Sequence, residues 1–171
     1  MAEPPEIKKA QERVVRAFET RPGAAKFKGR TTVRVTSGTS CEIKDGEWTL
    51  TGDQSKAFGG ENLGPNPGVF GRASLGSCLA QGYAYWFARH EVPFEEIEVV
   101  IDGEGDNRAS LGMEVEFPPG YQRLRATIRV ESNAALEDIR KAMEQADRCS
   151  PWLYNFANAI EVDLDVTIEG T

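Results

Sequence analysis

The stretch GPNPGVFGRASLGSCLAQGYAYWFA, residues 64–88, places Cys78 inside a long apolar helical pattern. Phe70, Ala73, Leu75, Leu79, Tyr83, Trp86 and Phe87 leave few positions for a solvated face, which predicts a largely buried helix. Asn66 is a good cap and Pro67 fits the first helical position, where its missing N–H costs nothing. The pattern ends near His90, ahead of Pro93. Gly71, Gly76 and Gly82 inside the helix each cost roughly 1 kcal/mol relative to Ala. Compensation by close backbone approach predicts a second helix packed against this one.

A free cysteine usually behaves as a small hydrophobe, and becomes nucleophilic when a helix N-terminus or a cation stabilises its thiolate. Cys78 lies eleven residues beyond Pro67, roughly 16 Å along an α-helix. The dipole effect fades beyond the first turn, so activation requires a cation. Arg72 is nearest in sequence, but six residues is about 240° around the axis, which puts it on a different face.

Residues 64–80 resemble the signature of the OsmC/Ohr family of thiol-dependent peroxidases, in which a G-P-x-P start leads into a helix carrying L-G-S-C-L-A. EIEVVIDGEGDNRASLGMEVEFPPGYQRLRATIRVES resembles the family's block of strands, and CSPWLYNFANAIEVDLDV its C-terminal helix and last strand. The resemblance covers Phe27 to Ile168. It implies an OsmC-like α+β fold, with antiparallel sheets wrapped around central helices in an intertwined homodimer. The implied activity is a cysteine-based peroxidase of the oxidative stress response that reduces organic hydroperoxides through a thiolate and sulfenic acid cycle. Cys78 matches the nucleophile, Cys149 is the candidate resolving residue, the reductant is a dithiol or lipoyl-bearing protein, and no cofactor is implied.

The chain departs from that pattern at three places. Gly68 stands where the family's peroxidases usually carry glutamate directly after the N-P. The turn VTSGTSCEI, residues 35–43, lacks the arginine that Ohr proteins place after the first strand. Ser150, rather than cysteine, immediately precedes Pro151, with Cys149 one residue earlier and so rotated by about 100° on a helix. The alternative function is a non-catalytic dimer of the same fold that binds a small apolar or thiol-containing ligand.

A chain of 171 residues with 40% hydrophobic content can form one domain or two small lobes sharing a core. The formal net charge of −7 argues against nucleic acid or an anionic membrane surface as partner. No segment reaches the roughly 18 apolar residues of a membrane span, and MAEPPEIKK lacks a signal peptide's apolar core. Three cysteines do not suit a secreted disulfide framework, so a reducing compartment, the cytoplasm, is expected.

Residues 5–20 read as an amphipathic helix with Ile7, Val14, Val15 and Phe18 on one stripe. This forms an N-terminal helical extension, residues 1–26, ahead of a domain at 27–171, and Arg21-Pro22-Gly23 ends it. Strands are expected at 31–36, at 39–43 and from Trp48 through Leu50, with a hairpin at Asp45-Gly46. The loop from Gly59-Gly60 to Pro67 is longer than a connection needs, which marks it as a site-lining candidate.

Beyond the central helix, alternation predicts strands at 96–104, 111–117 and 124–130, with Pro118-Pro119-Gly120 as a turn. A helix over 134–148, capped by Ser132 or Asn133, carries Leu136, Ile139, Met143 and Ala146 as its apolar stripe. A short helix over 151–157 and a last strand at 160–168 follow. Strand blocks interrupted by helices, without βαβ regularity, define the α+β class.

Other chemistries find less support. His90 is the single histidine, and its place at a helix end favours a structural or dipole-compensating role. No G-x-S-x-G elbow accompanies it, and Cys41, Cys78, Cys149 and His90 lack zinc-ligand spacing, so no metal site is assigned. DGEGDNRASLGM has the alternate carboxylates of a calcium loop, but Asn107 and Met113 stand where Gly and Glu are required. The Tyr83, Tyr85, Trp86 and Phe87 cluster suits core or dimer packing better than a ligand pocket.

Overall fold

A computed structural model describes residues 4–170. Helix α1 (Pro4–Thr20) leads through a 3-10 turn into β1 (Thr32–Ser37), β2 (Ser40–Asp45) and β3 (Trp48–Gly52). Helix α2 (Pro67–His90) follows, then β4 (Glu96–Gly105), β5 (Tyr121–Glu131), α3 (Leu136–Arg148) and α4 (Pro151–Ala157). The three early strands form one antiparallel sheet in sequence order, and β4 and β5 form a second. The α+β class is as the sequence predicts.

Helix α2 organises the fold because its apolar residues recur at helical spacing along one side. Leu75, Leu79, Tyr83, Phe87 and Ala88 are buried. Leu75, Leu79 and Tyr83 pack on Ile97, Val99 and Ile101 of β4, Leu124 and Ile128 of β5, and Ala146 of α3. Phe87, with no exposed surface, packs with Val92 and Ala142 in a second cluster. Full burial of such a side chain contributes roughly 1.5–3 kcal/mol, so these contacts hold the helix on the β4–β5 ribbon.

The expected start and end of α2 are observed. Asn66 caps it by accepting a hydrogen bond from the Val69 N–H, Pro67 occupies the first turn, and Glu91 terminates it in the left-handed region at φ 56°. The expectation of a largely buried helix holds for one side of it: within this chain Ala73, Ser77, Gln81 and Tyr85 are exposed. The glycine expectation is also revised. A Cβ at Gly76 would lie 3.2 Å from Ile101 Cγ1, so a strand side chain uses that space, whereas nothing approaches Gly71 or Gly82 within 4 Å. Helix α3 does pack beside α2, but through side chains.

Two expected strands are absent among the described residues. Residues 111–117 were predicted extended from alternation, yet Ala109–Leu111 is a 3-10 turn closed by Gly112 at φ 75°, and 113–120 has no regular pairing. The side chain of Asp106 accepts the Arg108 N–H, and the Arg108 guanidinium returns to the same carboxylate and covers Phe117, so local polar closure outweighs alternation. β4 therefore pairs directly with β5 across a long loop. Residues 160–168 lie outside any sheet and pair with no strand of this chain.

The β2–β3 hairpin closes through a two-residue loop, Gly46-Glu47, with Asp45 paired to Trp48 and Gly46 at φ 55°. Helix α1 docks on the C-terminal end of α2 through the Lys8–Glu91 pair at 2.5 Å. Val14, Val15 and Phe18 of the apolar stripe are exposed within this chain. Helix α3 begins two residues later than predicted, with Ala135 at its cap. Ser132 instead accepts the Ala134 N–H and donates to the Pro93 carbonyl, bracing the loop before the helix.

Candidate active site around Cys78

Cys78 lies at mid-length on α2, half-buried, on the side that faces the start of α4. Its Sγ is 3.4 Å from Ser150 Oγ. Ser150 is only 7% exposed and caps α4 by accepting the Leu153 N–H at 3.3 Å. The Ser150-Pro151 pair is thus a local N-terminal signal, cap followed by proline, that also aims a hydroxyl at the sulfur.

The corner between α3 and α4 fixes that hydroxyl. The Cys149 N–H reaches the Ala146 carbonyl and the Ser150 N–H reaches that of Asp147. The Tyr83 hydroxyl of α2 donates to Asp147 Oδ1 at 2.7 Å, tying the two helices together three residues before Ser150. Burial, and then the bond to Asp147, hold the Tyr83 phenol far above its usual range, so it remains a neutral donor.

Cys149, the candidate resolving residue, is exposed at the end of α3, and its Sγ accepts a hydrogen bond from Gln145 Nε2 at 3.4 Å. Ser150, not Cys149, contacts Cys78. Cys41 is half-buried on β2 beside Gly52, where an added Cβ would lie 2.9 Å from its Sγ.

Arg72, the nearest cation in sequence, is engaged elsewhere. Its Nη1 donates to the Tyr121 hydroxyl at 2.6 Å, and that hydroxyl donates to the Gly68 carbonyl at 2.9 Å. A Cβ at residue 68 would lie 3.2 Å from the Tyr121 oxygen and 3.4 Å from Arg72 Nη1. The bare backbone at Gly68 therefore admits the phenol, and a neutral hydroxyl meets Arg72 where a glutamate would bring a carboxylate. Tyr121 approaches this place because Gly103 leaves room: a Cβ there would lie 2.5 Å from the tyrosine ring. A cavity of about 510 Å³ borders this cluster, lined by Leu75, Tyr121, Leu124, Leu153 and Phe156 among others. Leu75 and Leu153 set it about one helical turn from Cys78 and Ser150.

The loop singled out for its length is held by a residue that the sequence did not reveal. Asp53, 4% exposed, accepts from Thr39 Oγ1 at 2.7 Å and from the backbone N–H groups of Gln54, Glu61 and Leu63 at 2.8, 3.0 and 3.2 Å. The Thr39 hydrogen bond, followed by the backbone donors, holds its carboxyl below the usual range. Asp53 joins the β1–β2 turn to the loop that delivers Asn66 and Pro67. The one sequence signal was a carboxylate followed by Gly-rich backbone, common to many turns. His90 sits in the last turn of α2 with its ring 5.9 Å from Trp86. Among the described residues, no group of three or more His, Cys, Asp or Glu side chains is placed to hold a metal ion.

An α+β scaffold with a half-buried cysteine on its central helix, beside a second cap-and-proline helix, defines the class of protein. The chain belongs to the OsmC-like protein family, whose model matches residues 59–165. The fold is similar to that of an OsmC-like protein from Mycoplasma pneumoniae, at TM-score 0.64 and 12% identity, covering 77% of this chain and 88% of that one. It is also similar to an organic hydroperoxide resistance protein from Elizabethkingia anophelis with thiocyanate bound, at TM-score 0.53 and 17% identity, covering 76% and 88%. An organic hydroperoxide resistance protein OsmC from Legionella pneumophila aligns at TM-score 0.50 and 12% identity, covering 76% and 89%. No curated protein sequence matches the chain. No helix among the described residues is long and apolar enough to cross a membrane.

Proposed function

We propose that this protein is a cysteine-dependent peroxidase that reduces organic hydroperoxides, with Cys78 as nucleophile. The observation that carries the reading is a half-buried thiol on the central helix of an OsmC-like chain, with a buried hydroxyl 3.4 Å from its sulfur. The names of two similar structures, organic hydroperoxide resistance proteins, support the substrate class. The Cys78 thiolate attacks the terminal oxygen of the hydroperoxide and the O–O bond breaks. The alkoxide leaves and is protonated to the alcohol, and the sulfur becomes a sulfenic acid. A dithiol or lipoyl-bearing protein is the class of reductant that returns the thiol, and the three free cysteines suit a reducing compartment such as the cytoplasm.

Stopped-flow mixing of the reduced protein with cumene hydroperoxide tests this reading. Oxidation well above the rate of free cysteine at the same pH, lost in Cys78→Ser, is expected; a rate no faster than free cysteine would exclude it.

We further propose that the working unit is a homodimer, with the domain beginning after residue 26 and α1 as an extension. Its support is apolar alternation left uncovered in the single chain. Ile160, Val162, Leu164, Val166 and Ile168 are 56–89% exposed, and Val33 and Val35 of the edge strand β1 are 57% and 56% exposed. Such an edge and such a segment are ready for strand pairing. Sedimentation should give a dimer at micromolar concentration, and a stable monomer there would contradict the proposal.

A second reading has its own support. Arg72 is bonded to Tyr121, and the turn at 35–43 offers no arginine, which favours a non-catalytic dimer that binds a small apolar or thiol-containing ligand. Loss of peroxide turnover in Cys78→Ser would sink it.

A further inference from the structure

We infer that Ser150 is a positioning residue for the sulfur of Cys78, and that oxidised Cys78 is reduced by a thiol from outside the chain rather than by Cys149. The inference rests on the peroxidase reading above. Three observations support it. Ser150 Oγ already accepts the Leu153 N–H, and a hydroxyl has one proton to donate. Once Cys78 is a thiolate it has no proton, so across the 3.4 Å contact only the serine can donate. The position is fixed, because Ser150 is 7% exposed and held by the Tyr83–Asp147 bond and the turn of backbone at 146–150.

Cys149 is the C-cap of α3 at φ −106° and ψ 5°, with its sulfur on Gln145. Bringing that sulfur to Cys78 would unseat Ser150 and remove the cap of α4. The side chain that meets Cys78 is therefore one that cannot form a disulfide.

The cycle that follows balances without Cys149. The thiolate takes the terminal oxygen of the hydroperoxide, releasing alcohol and leaving a sulfenic acid within reach of the Ser150 hydroxyl. A first external thiol attacks the Cys78 sulfur; the S–O bond breaks, water leaves and a mixed disulfide forms. A second external thiol attacks the external sulfur of that disulfide, releasing the Cys78 thiolate and an oxidised thiol pair. Two thiols supply the two electrons that the hydroperoxide consumed. A small monothiol or either arm of a dithiol meets this requirement.

The test uses the full chain with one equivalent of cumene hydroperoxide, dimedone as sulfenic acid trap, and peptide mapping by mass spectrometry. Wild type and Cys149→Ser are expected to give the same dimedone adduct on Cys78, with no intrachain link. Ser150→Cys, combined with Cys41→Ser and Cys149→Ser, is expected to lose two hydrogens and link Cys78 to the introduced thiol; diamide should produce the same link independently of peroxide. Ser150→Gly, which largely keeps the cap but removes the donor, should slow Cys78 oxidation roughly three- to tenfold, and Ser150→Thr should restore it.

A Cys78–Cys149 link in wild type, or Ser150→Gly reacting as fast as wild type, would overturn the inference. A Cys78 that peroxide leaves unchanged in wild type, while diamide still forms the engineered link, would instead overturn the peroxidase reading and the cycle built on it. The two failures are therefore distinguishable.

Discussion

Replacing Tyr83 with Phe removes one oxygen and should loosen the corner that holds Ser150 against Cys78. The ring of Tyr83 is 2% exposed and packs with Leu75, Leu79 and Ala146, contacts that Phe keeps. What is lost is the 2.7 Å bond to Asp147, whose carboxylate is exposed and can turn to water. No buried acceptor is stranded, so the expected cost is about 1 kcal/mol, a fall of roughly 2–4 °C in melting temperature for a chain of this size.

The pH dependence is more diagnostic. Burial first, and Asp147 second, raise the folded-state phenol above its usual value near 10. The fold therefore disfavours the ionised form. The associated stability is fully present below pH ~10 and declines as pH rises toward the higher folded value. Urea unfolding of wild type and Tyr83→Phe across the alkaline range should show a steeper loss in wild type. The same substitution in the Ser150→Cys background should slow formation of the engineered disulfide. Equal alkaline limbs in the two proteins, or a cost above about 3 kcal/mol, would refute the role given to the Tyr83–Asp147 bond.

Asp53→Asn should flatten the acid limb of stability: the native carboxyl is held low by Thr39 and three backbone donors, so its contribution is present above about pH 4 and lost as pH falls through the lower folded value. Urea titrations between acid and neutral pH check this, and an unchanged acid limb would refute it. Gly103→Ala puts a Cβ 2.5 Å from the Tyr121 ring, and should cost about 1–3 kcal/mol by overpacking in thermal denaturation. Removing the chain from residue 159 onward should leave the α2 core folded by circular dichroism while shifting sedimentation toward monomer.

The elements that the sequence predicts well are those whose own side chains decide them. Asn66-Pro67 and Ser150-Pro151 are cap-and-proline signals, and α2 and α4 start there. Strand β4 alternates Ile97, Val99 and Ile101 toward α2 as its pattern requires. Failures fall where alternation lacks a partner. Residues 111–117 have the right side chains but are closed locally by Asp106, Arg108 and Phe117, and residues 160–168 alternate correctly yet pair with no strand of this chain.

For the candidate site, the dense motif around Cys78 singled that residue out, and the one-residue offset of Cys149 from Pro151 turned Cys149 away from it; the structure puts Ser150 Oγ against the Cys78 sulfur and the Cys149 sulfur on Gln145. Asp53, Tyr121 and Asp147 were not legible. Each acts through partners distant in sequence: Thr39 for Asp53, Arg72 and Gly68 for Tyr121, and Tyr83 for Asp147. Their immediate neighbours carry no specific mark.

The central claim is that Cys78 is a reactive peroxidatic thiol, and its oxidation rate measures that most directly. Reduced Cys41→Ser/Cys149→Ser protein, in which Cys78 is the only thiol left, should consume cumene hydroperoxide in the stopped flow far faster than free cysteine at the same pH and yield a dimedone-trapped sulfenic acid. A rate equal to that of free cysteine, with Cys78 recovered as an unmodified thiol, would contradict it.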